Sequence, residues 1–120
     1  MNRPLRYGLL AALIWLIPRV SPAIPDPSAG GSYAYPNPAS DCCVHIVYRM
    51  AEAGSAEVLV YQEAGDIAAT ANDPQDAGLR QSTIPLCRLG PGCYFYRVKI
   101  QYRSGKVVTL PMGHFGVTKR

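Results

Sequence analysis

Cys93-Tyr94-Phe95-Tyr96-Arg97-Val98-Lys99-Ile100-Gln101-Tyr102 is the stretch that decides the fold. Tyr94, Tyr96, Val98, Ile100 and Tyr102 share one parity, and Phe95, Arg97, Lys99 and Gln101 share the other. A period of two with an apolar side and a polar side belongs to a half-buried β-strand. Arg103-Ser104-Gly105-Lys106 then reads as a hairpin turn, with Gly105 free to take a positive φ, and Val107–Leu110 as the returning strand. A last strand is expected over Gly113–Thr118.

Upstream, Val44, Ile46, Tyr48 and Met50 alternate with Cys43, His45, Val47 and Arg49, which predicts a strand over Cys43–Met50. Glu57–Glu63 reads as the next strand, Ala64-Gly65-Asp66 as a turn, Ile67–Thr70 as a short third strand, 71–79 as a loop and Arg80–Leu86 as a further strand. About seven short strands, turn signals between them and no helical period predict an all-β fold, an immunoglobulin/fibronectin-III-like antiparallel β-sandwich.

The remaining N-terminal sequence is of another kind. Arg3 and Arg6 precede nine apolar residues, Leu9 to Ile17, and Ser21-Pro22-Ala23 offers small residues before a cut after Ala23. That order predicts a cleaved secretory signal at 1–23. A membrane span would need about 20 apolar residues. Residues 24–40 hold four prolines and two glycines and read as an extended leader, so the sandwich is expected over 41–120. Export through the periplasm to the exterior or the cell surface follows as the expected location.

The whole chain has 120 residues, 48% apolar and 17% charged, with a net charge of +4. That composition excludes a disordered chain. Loss of Arg3, Arg6 and Arg19 with the signal leaves nine basic residues against eight acidic ones. All eight acids precede residue 77, and eight of the nine bases follow it. Acidic and basic strands lying side by side account for this sorting. A basic face of Arg97, Lys99, Arg103 and Lys106 beside Phe95 is the sharper reading. A nearly neutral secreted domain does not suggest nucleic acid as a partner.

Four cysteines, Cys42, Cys43, Cys87 and Cys93, are expected to be staples in an oxidising compartment. A bond between the adjacent Cys42 and Cys43 requires a strained eight-membered ring and is set aside. Cys42 and Cys43 are therefore expected to pair with Cys87 and Cys93, in either order, closing loops of about 45 to 50 residues worth roughly 3–4 kcal/mol each. A local Cys87–Cys93 bond is the alternative. A metal cage of Cys42, Cys43 and His45 with Cys87 or Cys93 is disfavoured, because adjacent strand residues point to opposite faces. His45 falls on the outward parity and His114 lies in the last strand. Neither stands beside an evident nucleophile, and no GxSxG, HExxH, GxGxxG or Walker loop occurs. No enzyme activity and no cofactor are expected.

Three stretches together carry a family resemblance. Tyr35-Pro36-Asn37-Pro38-Ala39-Ser40-Asp41 before an alternating strand, Val58-Leu59-Val60-Tyr61-Gln62-Glu63-Ala64-Gly65, and Leu89-Gly90-Pro91-Gly92-Cys93-Tyr94-Phe95-Tyr96-Arg97-Val98 occur in that order, and the chain ends in Phe115-Gly116-Val117-Thr118-Lys119-Arg120. The set resembles the C-terminal sorting domains of type IX secretion cargo, and the related immunoglobulin-like domain of flagellar hook-capping proteins. The resemblance implies a non-enzymatic module recognised in its folded form by an outer-membrane export machine. Gly90, Gly92, Tyr94, Lys119 and Arg120 would be among the recognised elements. The family pattern does not call for the four cysteines, and its sorting domains normally follow a large cargo where here only a short linker precedes. A stand-alone extracellular module that contacts an acidic glycan, lipopolysaccharide or protein through the basic face is the alternative. Independently of any family, Tyr94 after the Gly90-Pro91-Gly92 corner is placed to bury its ring with the hydroxyl bonded to backbone.

Overall fold

A computed structural model describes Pro27 and residues 30–118. The predicted signal segment, residues 24–26, 28 and 29 of the leader, and Lys119 and Arg120 lie outside the described residues. Among the described residues eight strands form: β1 (Ser32–Tyr35), β2 (Cys43–Met50), β3 (Gly54–Gln62), β4 (Ile67–Gln75), β5 (Gly78–Pro85), β6 (Gly92–Tyr102), β7 (Val107–Thr109) and β8 (Gly113–Val117), with a 3-10 turn over Leu86–Arg88. They make two antiparallel sheets. The smaller has the order β1-β2-β5, and the larger β4-β3-β6-β7 with β8 also on β6. The chain therefore passes between sheets at β2–β3, β4–β5 and β5–β6, the crossing pattern of an immunoglobulin-like sandwich. The predicted fold class holds.

In β2 and β6 the inward parities are those read from the sequence. Val44, Ile46, Tyr48 and Met50 of β2 are buried, as are Ala56, Val58 and Val60 of β3, and Tyr94, Tyr96, Val98, Ile100 and Tyr102 of β6. They meet in one core with Ile84, Leu86, Leu89, Phe115 and Val117. A polar network lies within it. The Tyr48 and Ser82 hydroxyls bond at 2.8 Å. Gln75 Nε2 donates to the Tyr48 hydroxyl and to the Gln81 carbonyl, both at 3.1 Å. Burial pushes the Tyr48 and Tyr96 pKa values above the ordinary 10.0, against the opposing pull of their hydroxyl hydrogen bonds.

Gly105 sits in the predicted β6–β7 turn at φ 99°, and its N–H donates to the Tyr102 carbonyl at 2.9 Å. Gly113 is fixed by packing instead. A Cβ there would overlap the Tyr96 ring.

Two expectations need correction. Ser32–Tyr35, assigned to the leader, is a strand paired with β2 from Ser32↔Tyr48 to Tyr35↔His45, so the sandwich begins before residue 41. Its partner, not its own composition, makes it a strand. The loop expected over 71–79 is strand as far as Gln75 and again from Gly78. β4 is an edge strand, where Pro74 costs no ladder bond that a second neighbour would need. The two C-terminal strands fall where the sequence places them, over Val107–Leu110 and Gly113–Thr118, to within a residue. β7 and β8 occupy successive stretches of one side of β6, opposite Lys99–Gln101 and Gly92–Tyr96. With β1 added and these two counted as one interrupted strand, the sandwich has seven strand positions.

Candidate functional site

The stretches that carry the family resemblance come together at one end of the larger sheet. β6 begins at Gly92, and its first residues pair with β8 through Gly92↔Val117, Tyr94↔Phe115 and Tyr96↔Gly113. On its other side Gln62, the last residue of β3, pairs with Tyr94. The 35–41 segment leaves the smaller sheet after β1 and crosses to β8. There Asn37 Oδ1 accepts from Gly116 N–H at 3.0 Å, Ala39 N–H donates to the Gly116 carbonyl at 2.8 Å, and Thr118 N–H donates to the Ala39 carbonyl at 2.9 Å. Ala39, fully buried, forms a parallel bridge with Val117.

Tyr94 anchors this end. Its hydroxyl donates to the Gly90 carbonyl at 2.7 Å, and its ring stacks on Phe115 with centroids 5.7 Å apart. The expected ring-buried, backbone-bonded tyrosine is present. Gly90 and Gly92 flank the corner it closes. Thr118, last of the described residues, lies against Ala39; Lys119 and Arg120 follow it in the sequence and are not described.

The four basic residues belong to two elements. Arg97 and Lys99 lie exposed on the outer side of β6 with Phe95. Arg103 and Lys106 belong to the hairpin turn beyond its far end, where Arg103 N–H donates to the Ala53 carbonyl and Tyr102 N–H to the Lys106 carbonyl. Charge sorting along the chain places opposite signs in adjacent strands. Glu57 of β3 stands directly opposite Lys99, whereas Arg97 faces Leu59.

The cysteine expectations are overturned. Cys42 and Cys43 are bonded to each other, and Cys87 and Cys93 are free and exposed. Cys42 lies in the bend before β2, outside the alternation that would send neighbouring side chains to opposite faces. Cys43 opens β2 on the outward parity of the smaller sheet, while Cys93 lies on the outward parity of β6 in the larger one. The two outer faces of a sandwich are separated by its full thickness, the sheets alone packing about 10 Å apart. Among the described residues no group of three His, Cys, Asp or Glu side chains could hold a metal ion.

His45 is outward, as its parity predicts. Its Nδ1 is 2.9 Å from the Thr83 hydroxyl and its ring lies 4.9 Å from that of Tyr35. His114 is exposed on β8 opposite Phe95. A hollow on the outer face of the larger sheet was not visible in the sequence. Tyr61, Gln62, Glu63, Gly65, Phe95, Arg97 and Met112 line it, and its volume is about 300 Å³. The alternation marks Tyr61 and Phe95 as outward; that Met112 joins them depends on the interruption of the last strand.

No family model matches the chain. A search of curated proteins finds no match either. Among solved structures, the chain is similar to CopC from Methylosinus trichosporium OB3b, at 15% identity and a TM-score of 0.48, over 72% of this chain and 93% of that one.

Proposed function

We propose that this chain is an exported, non-enzymatic β-sandwich module whose folded end is read by an outer-membrane export system, in the manner of the type IX sorting domains it resembles. Residues 1–23 direct it to the periplasm and are removed there. The recognised surface consists of the Gly90–Tyr94 corner, the crossing segment around Asn37, and β8 with the Lys119-Arg120 end that follows it. A cell surface or extracellular location follows.

One observation carries this reading. Segments 35–41, 61–65, 89–95 and 113–118, far apart in sequence, are hydrogen-bonded neighbours at a single end of the fold. A receptor that selects folded cargo requires such a surface, because it exists only after folding. The test is a fusion of residues 33–120 to a periplasmic reporter, in a host with a type IX system. Protease-accessible reporter at the surface is expected, with loss of delivery in Asn37→Ala and Tyr94→Phe variants that still fold by circular dichroism. A reporter that stays in the periplasm overturns the proposal.

A further inference from the structure

We infer that the hollow on the outer face of the larger sheet is a binding site for a carboxylated sugar, one uronic-acid ring of an acidic polysaccharide. The inference does not rest on the sorting reading, although segments 61–65 and 89–95 border both surfaces.

Large apolar side chains are exposed at four described positions, and their placement is uneven. Phe95 (38% exposed) and Met112 (48%) line the hollow together with Tyr61. Ile67 (58%) stands beside it, opposite Tyr61 in the β3–β4 pair. Only Val107 lies away, near the far end of β6, where it pairs with Gln101. Two aromatic rings and a thioether held at the surface favour a ligand with a flat, weakly polar face.

The polar groups narrow the chemistry. Arg97 supplies the cation. No carboxylate stands opposite it, since its cross-strand neighbour is Leu59, whereas Lys99 faces Glu57. A guanidinium flanked by apolar groups presents a planar fork that matches a carboxylate. Glu63 and Gln62 lie on the same hollow. Glu63 can only accept, so the ligand must also donate, and hydroxyl groups do so. A pyranose ring with a carboxylate meets all three demands: its C–H face on Phe95 and Tyr61, its carboxylate on Arg97, its hydroxyls on Glu63 and Gln62. About 300 Å³ lies at the lower limit of ligand sites, room for one ring and not for a long segment. An extended peptide fits less well. It binds sheets by adding a strand at an open edge, and β3 and β6 are both paired on two sides here.

Calorimetric titration of the full chain with trigalacturonic acid, and with the neutral galactotriose, tests the inference. Saturable binding of the acid is expected, at least tenfold tighter than that of the neutral sugar. Arg97→Gln, Phe95→Ala and Met112→Glu should each weaken it at least tenfold, while Lys106→Gln in the distant turn leaves it unchanged. The three hollow positions are exposed, and retained thermal melting confirms that each variant is folded. Equal affinity for both sugars, no saturable binding of either, or indifference to Arg97→Gln or Met112→Glu overturns the inference. Binding of the acid that Lys106→Gln weakens as much as Arg97→Gln also overturns it, since diffuse charge then suffices. Arg97→Gln in the reporter fusion should leave surface delivery intact, so failure here is separable from failure of the sorting proposal.

Discussion

Tyr48→Phe isolates the polar network inside the core. The substitution keeps the ring, and with it the packing of a fully buried side chain. It removes the oxygen bonded at 2.8 Å to the Ser82 hydroxyl and at 3.1 Å to Gln75 Nε2. Each such bond contributes a net ~1 kcal/mol. Gln75 retains its bond to the Gln81 carbonyl, so its loss is partial. Ser82, 1% exposed, keeps no other side-chain partner among these bonds. An orphaned buried hydroxyl costs a further 1–3 kcal/mol or so. The expected destabilisation is therefore about 2–4 kcal/mol, a large part of the stability of a small domain. With a urea m-value near ~2 kcal/mol/M, the unfolding midpoint falls by roughly 1–2 M. Ser82→Ala alone should cost only about 1 kcal/mol, because Tyr48 still accepts from Gln75. The double variant leaves no orphan and should be more stable than Tyr48→Phe alone. Urea unfolding followed by circular dichroism measures all four proteins of this cycle. A Tyr48→Phe cost below ~0.5 kcal/mol, or a double variant equal to the sum of the singles, refutes the reasoning that an unpaired buried hydroxyl dominates.

Gly113→Ala should destabilise by roughly 1–3 kcal/mol, because its Cβ would overlap the buried Tyr96 ring; stabilisation in thermal melts, the usual effect of Gly→Ala on the unfolded chain, would show that the site has room. Alkaline stability follows from Tyr48 and Tyr96, whose folded pKa values lie above the ordinary 10.0. The unfolded chain releases those protons first, so stability is fully present below pH 10 and falls above it, by up to about 1.4 kcal/mol per pH unit for each tyrosine; urea midpoints that do not decline above pH 10 would contradict this. Reduction of Cys42–Cys43 opens a loop between adjacent residues and should change stability by about 1 kcal/mol or less in the chain-entropy picture; a loss of several kcal/mol with reductant in urea titrations would indicate a long-range cross-link instead.

Strands with alternating parity were legible because burial on one face writes itself into every second residue. β2 and β6 needed nothing more, and the Gly90–Tyr94 corner followed from a turn placed before an inward tyrosine. β1 was not legible. Ser32-Tyr33-Ala34-Tyr35 has no large inward side chain, and only pairing with β2 makes it a strand. The end of β4 was hidden by Asn72, Asp73 and Pro74, residues that suit an edge and would disrupt a centre. Cysteine pairing depends on which outer face each strand presents, and parity alone does not connect one sheet to the other. The same limit split the basic residues. Arg97 and Lys99 share a face by period, but Arg103 and Lys106 lie in a turn where the period no longer applies.

The interruption of the last strand links the two surfaces. β7 follows β6 only as far as Thr109, and Pro111, lacking an N–H, cannot continue the ladder. Leu110 holds the break in register, buried and donating its N–H to the Val98 carbonyl at 2.9 Å. Met112 is thereby exposed at the rim of the hollow beside Phe95 and Arg97. Pairing resumes at Gly113, whose missing side chain admits the Tyr96 ring. β8 would then offer an open edge, the usual site of unwanted strand pairing. The crossing segment covers it: Ala39 exchanges hydrogen bonds with Gly116 and Thr118, and Asn37 takes the Gly116 N–H. A continuous last strand would leave Met112 no cause to meet the hollow. Two residues that end one ladder therefore give the sheet its receptive face, and the restart beyond them builds the end where distant segments meet.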